Sequence, residues 1–198
     1  MEWLIAIGLG FAAGTNAYIP LLLTGVLARW GGVITLPDSW AWLADDWALI
    51  ILASLIVLDS LAARIPLVAT ANDVLQTALR PTSAGIVVTA QGAGSQVVTD
   101  WSEWLSNGHW VPAVVAMAVA LSVHLVRGTL RLAADATSAG LAGGILAGVD
   151  EVSSVAFSLI SILLPLLVPL LVVGTGALLW WMVARRRRSR GSKTPQNN

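Results

Sequence analysis

The chain has 198 residues, of which 57% are hydrophobic and 11% charged, against about 25% charged in a soluble globular domain. That composition argues for a membrane protein. Having no cysteine and two histidines, the chain excludes disulfide frameworks, thiolate nucleophiles, Cys-type zinc or iron–sulfur centres and a conventional multi-histidine metal site, so no cofactor is implied.

The formal net charge of zero averages two unlike regions. Arg185, Arg186, Arg187, Arg188, Arg190 and Lys193 crowd the end of the chain, whereas the preceding part holds Arg29, Arg64, Arg80, Arg127 and Arg131 with all eleven acids. The expected organisation is a single membrane domain over 1–184 and a basic, disordered cytoplasmic tail over 185–198. Met1-Glu2-Trp3 lacks the basic region of a secretory signal and reads as retained.

The first hydrophobic run, 3–29, is long enough for a bilayer, which takes about 20 apolar residues. Gly14-Thr15-Asn16 and Pro20 interrupt it, which predicts a discontinuous helix with the Asn16 amide near mid-membrane. The plainer role for Asn16 is an interhelical hydrogen bond.

A second run, 48–64, carries Asp59, and an ionisable residue within a membrane segment is a functional candidate by default. Arg64 is five residues on, about 140° around the helix, so the partner of Asp59 is expected from another segment. The structural alternative is an ion pair with Arg127, Arg131 or, across subunits, Arg64.

Thr70–Arg80 follows, with Asp73, Gln76 and Arg80 in one polar stripe opposite Val74, Leu75 and Leu79. This reads as a short amphipathic cytoplasmic helix that stops before Pro81. Two short segments rich in Gly, Ala, Ser and Thr, 83–98 and 136–149, are expected to span or re-enter the membrane facing protein. Thr82-Ser83-Ala84-Gly85 recurs as Thr137-Ser138-Ala139-Gly140, a weak hint of a repeated helix pair.

A third clear run covers 111–127. His124, Arg127, Arg131 and Asp135, at spacings of three, four and four, form one stripe if the helix continues past Gly128. Arginine forks there suit a phosphate or carboxylate; the bland reading is positive-inside anchoring and packing. Gly140, Gly144 and Gly148 recur every four residues, as in close helix packing. The outer acidic pair Asp150-Glu151 is expected to open the last run, 152–183, against the positive end of its dipole. That run is overlong for one crossing, and Pro165 and Pro169 predict a bend.

The positive-inside rule places the tail, 64–82, 128–135 and both termini in the cytoplasm, and 30–47, 99–110 and 150–151 outside. Arg29 alone is on the wrong side. All ten tryptophans fall near expected interfaces, as their amphipathic rings prefer.

Taken together, Gly14-Thr15-Asn16-Ala17-Tyr18-Ile19-Pro20, Leu58-Asp59, Arg64-Ile65-Pro66, Asp73, Arg80-Pro81, His124 with Arg127 and Arg131, and Asp150-Glu151 resemble the bacterial family known as domain of unknown function 4126. The resemblance covers most of the chain. Where the family has an acid followed by Asp-Lys-Ile-Pro, this chain has Ala63-Arg64-Ile65-Pro66. The resemblance implies a membrane architecture and carries no established activity.

The expected fold is all-α and polytopic, with about six transmembrane or re-entrant helices in the bacterial cytoplasmic membrane. The leading function is a small transporter or channel for a small solute or ion, an anionic one included. Its pathway would use Asn16, Asp59, Arg64, Asp73, Arg80, His124, Arg127, Arg131 and Asp135. The runner-up is a scaffold that binds lipid headgroups. An enzyme ranks lowest, for the chain lacks a nucleophile elbow, a zinc-protease motif and a P-loop. The expected partners are lipids and further copies of the chain, not nucleic acid.

Overall fold

The structure, a computed structural model, describes residues 2–92, 108, 110–138, 142–177 and 181, the side chains at 66, 67, 70, 92 and 132–147 excepted. It is all-helical, with no strand among the described residues. The helices are α1 (Glu2–Thr15), α2 (Tyr18–Val26), α3 (Asp46–Ala62), α4 (Pro66–Gly92), α5 (Val111–Ser138) and α6 (Ala142–Leu163). A π turn (Leu27–Gly31) and a 3-10 helix (Asp38–Ala44) join α2 to α3, and a second 3-10 turn (Pro165–Leu167) follows α6.

The contacts fix the helix directions. Gly10 lies against Ala116 and Gly14 against Ala120 and Val123, so α1 runs parallel to α5. Gly85 meets Met117 and Thr77 meets His124, so α4 runs antiparallel to α5. Ser83 bonds to Ala17 and Gln91 to Thr24, so α2 follows α4. Helices α1 and α2 therefore run in opposite directions. The run 3–29 is a helical hairpin folded at Asn16 and Ala17, not one interrupted span, and Glu2 lies at the same end of the bundle as Asp46 and Val111.

Small residues let this hairpin sit deep in the bundle. Ala6, Leu9, Ala12 and Ala13 of α1 are all fully buried, and Phe11 stacks on Phe157 of α6 at 4.2 Å. A Cβ at Gly10 would stand 2.6 Å from the Ala116 carbonyl oxygen, and one at Gly14 2.8 Å from that of Ala120. Backbone meets backbone there, which only glycine permits.

Helix α4 runs unbroken through Pro81, so the expected stop before that residue, and with it the separate segment beginning at 83, does not occur. Proline removes one donor, and a packed helix tolerates the loss when neighbouring groups serve the freed carbonyls; one residue on, Thr82 Oγ1 donates to Ala78 O at 2.8 Å. Its amphipathic stretch is also turned about. Gln76 is fully buried and Arg80 only 7% exposed, whereas Val74 and Leu75 are 71% and 63% exposed.

The segment 136–149 is no separate span either: α5 extends to Ser138, and α6 begins at Ala142. Thr82–Gly85 accordingly lies within a helix while Thr137 and Ser138 end one, so the two copies of that motif do not build a repeated unit. Gly140 lies outside the described residues, and none of the described atoms lies within 4 Å of a Cβ added at Gly148.

The last run divides at Pro165, where α6 gives way to the 3-10 turn; the tail 185–198 lies outside the described residues. By length and composition, Val111–Arg131, of mean hydropathy 1.8, is the one helix among the described residues able to cross a membrane by itself. The 3-10 helix Asp38–Ala44 and α3 qualify together across a 59° bend.

Candidate functional site

The fold of the α1–α2 hairpin leaves backbone groups that need partners, since each helix end exposes orphan donors or acceptors. Asn16 Oδ1 accepts from the amides of Tyr18, at 2.9 Å, and Ile19, at 3.3 Å, and so caps α2. On the α1 side, Gly14 O accepts from Arg80 at 2.9 Å, Ala17 O from the Ser83 hydroxyl, and Ala12 O from Thr15 and Ser154 at 2.7 and 2.9 Å. The break is thus stitched to α4 and α6 by side chains.

Asp59, near the end of α3, faces the same break. Its Oδ1 accepts from Asn72 Nδ2 at 2.6 Å and Gln76 Nε2 at 2.8 Å, and its Oδ2 from Asn16 Nδ2 at 3.3 Å. Among the described residues of this chain Asp59 forms no ion pair with Arg127 or Arg131, and three neutral amides hold the carboxylate instead. The three amide donors come from two places, Asn16 in the α1–α2 break and Asn72 and Gln76 one turn apart on α4, so the carboxylate ties the hairpin to that helix. Arg80 reaches it at second hand, through Nε on Gln76 Oε1 at 3.3 Å.

The other charges are paired around this centre. Arg127 pairs with Asp150, and Ser60 donates to Glu151. Arg131 lies 3.5 Å from Asp73 and donates to Ala63 O at 2.7 Å. His124 Nε2 is 3.0 Å from Thr77 Oγ1; its Nδ1 and Arg127 Nη1 are buried without a partner among the described residues. Arg64 sits exposed at the α3–α4 turn. Helix α5 continues past Gly128 and includes Asp135, whose side chain is not among those described.

Asp150 and Glu151 are in the body of α6, eight residues past its start, so they do not open a helix. Their contacts with Arg127 and Ser60 place them level with Asp59, which corrects their assignment to the opposite end. Arg29, the misplaced cation, is neutralised locally: it bonds to Asp46 at 2.8 Å and to Ala44 O at 2.8 Å, and lies 5.1 Å from the centre of the Trp30 ring.

Beside Asp59 opens a cavity of about 380 Å³. Tyr18, Asp59 and Asn72 supply its polar wall, and Leu55, Leu58 and Val68 part of its apolar one. Asn72 and the structural role of Gln76 escape a reading that looks for charges, because uncharged amides gain importance only when the fold sets them against a carboxylate. Their spacing from Asp73 and Arg80 on one helical face is the signal that could have found them.

An all-helical bundle with a polar, charge-bearing centre and apolar outer faces defines the class. Residues 3–185 match the family described as domain of unknown function (DUF4126), and the chain belongs to that family. No curated protein and no solved structure matches it.

Proposed function

We propose that the chain is a polytopic membrane protein that moves a small solute or ion past Asp59. The observation that carries this reading is the inverted amphipathicity of α4, with Gln76 and Arg80 inside and Val74 and Leu75 outside. In water that arrangement would expose apolar surface and bury polar groups, both unfavourable; in a bilayer both are favourable. Helices too short to span alone fit the same reading when they form a hairpin, since irregular backbone at membrane depth is tolerated where protein buries it.

A helical hairpin whose turn meets polar and charged side chains is non-helical backbone buried in protein, the condition under which such backbone is tolerated at membrane depth or lines a cavity. The arginines of this cluster are committed to Asp73, Asp150 and backbone carbonyls, while the charge that lines the cavity is the Asp59 carboxylate. A cation therefore suits the site better than an anion. Positive-inside anchoring orients the end that bears Arg64, Arg127 and Arg131 toward the cytoplasm.

The test is flux of monovalent cations and small amines into vesicles reconstituted with the purified chain. Asp59→Asn should abolish it without loss of insertion. Absence of any flux, with lipid co-purifying in fixed proportion, would favour a scaffold, a reading to which the sideways-facing leucines of the cavity lend support.

A further inference from the structure

Three acceptors converge on the cavity between α3 and α4. Asp59 Oδ2 carries a single long bond, at 3.3 Å, while its Oδ1 carries two short ones. Asn72 spends its Nδ2 on Asp59, which leaves its carbonyl oxygen as an acceptor on the same wall. Tyr18 adds a phenolic oxygen and an aromatic face, which attracts cations. Among the described residues, no basic side chain lines the cavity.

Opposite this polar end the wall is aliphatic, and Leu58 is 59% and Val68 43% exposed, so the cavity opens sideways along an apolar surface. Its volume of about 380 Å³ is in the range of small-molecule pockets, roughly 300–1,000 Å³, and too small for a whole phospholipid.

We propose that this cavity binds a small alkylammonium: the ammonium donates its protons to Asp59, Asn72 and Tyr18, and the alkyl chain lies on Leu55, Leu58 and Val68. An ammonium offers three donors and no acceptor, the complement of this wall. A bare metal ion would leave the aliphatic side unused, and a fatty acid would set its carboxylate against Asp59. The inference rests on the membrane reading above and names the ligand class of the same site.

The test is equilibrium binding of hexylammonium to the full chain in phosphatidylcholine nanodiscs, with hexanoate and ammonium chloride as comparison probes. Saturable binding of hexylammonium at least tenfold tighter than of either comparison is expected, with at least a tenfold loss in Asp59→Asn. Ala62→Trp, which fills the cavity and leaves the carboxylate in place, should cause a similar loss and guards against misfolding of the first variant.

Equal binding to wild type and both variants, or equal binding of hexanoate, would overturn the proposal. Competition by added phosphatidylethanolamine would assign the same ammonium chemistry to a lipid source. Binding without flux would end the transport reading and leave the site; flux without binding would end the site alone.

Discussion

Asn16 and Asp59 are 43 residues apart in the chain, yet one amide joins them: Asn16 donates to the Asp59 carboxylate at 3.3 Å while its oxygen caps α2. The side chain that permits the hairpin to fold thereby also positions the acid beside it. Capping of α2 and positioning of Asp59 are inseparable for that reason.

Replacing Asn16 by Ala should remove both functions of the amide. Loss of a helix cap costs about 1 kcal/mol, and an unsatisfied buried acceptor or donor adds roughly another 1–3 kcal/mol. Asn16→Asp should be worse, although it retains the capping oxygen, because it replaces the amide that donates to Asp59 with a carboxylate that has no donor to offer it. Thermal unfolding in a neutral detergent should rank wild type above Asn16→Ala, and Asn16→Ala above Asn16→Asp at pH 7. An unfolding temperature for Asn16→Ala equal to that of wild type would show that the amide carries neither role.

The Arg127–Asp150 pair ties α5 to α6, both side chains being mostly buried. Removing one member of a buried pair leaves an uncompensated charge and is far costlier than removing both. Asp150→Asn and Arg127→Gln should each destabilise the chain, by up to about 3 kcal/mol, and the double variant by less than their sum. Strict additivity in the cycle would mean that the two residues do not interact.

Glycines sort by what a methyl group would strike. At Gly10 it would stand 2.6 Å from a backbone oxygen, whereas at Gly148 no atom of the described residues lies within 4 Å. Gly10→Ala should lower the yield of folded protein and the unfolding temperature, since a packed core forced apart loses about 1–3 kcal/mol. Gly148→Ala should be neutral or stabilising by up to about 1 kcal/mol, the helix-propensity difference. Equal effects would place Gly148 in a contact with another copy of the chain.

Much of the scaffold was legible in residue types. Asn16 after Gly14-Thr15 marked a break and Pro165 a second one, because local chemistry decides each, whereas the spacing of His124, Arg127 and Arg131 left continuation past Gly128 open and the packed helix α5 decides it. What did not show was direction. An interrupted helix and a folded-back hairpin present the same apolar run, and only packing of Gly10 and Gly14 on α5 and of Ala17 and Thr24 on α4 separates them. The acid at 59 stood out by hydropathy, but a search for its counter-charge overlooked Asn72 and Gln76, since neutral amides lack the cost in a bilayer that makes charges conspicuous. Asp150 and Glu151 were misplaced for a related reason: adjacent acids before an apolar stretch look like a helix start, and nothing local reveals the α6 turns that precede them.

On the proposed membrane reading, the hairpin predicts a sidedness that a single crossing over 3–29 would reverse. Because α1 and α2 run in opposite directions, Glu2 shares an end of the bundle with Asp46, and Arg64 lies at the other. The chain has no cysteine, so single cysteines introduced as Glu2→Cys, Asp46→Cys and Arg64→Cys can be labelled one at a time in sealed vesicles. A membrane-impermeant maleimide should react with the first two from the same side and with the third only after the membrane is permeabilised, or the reverse in vesicles of opposite orientation. Leu75→Cys, on the apolar outer face of α4, should resist the reagent in both cases. Labelling of Glu2→Cys together with Arg64→Cys, and apart from Asp46→Cys, would require α1 and α2 to form one continuous crossing, and the contact of Asn16 with the Asp59 end of α3 would then be incompatible with the membrane orientation.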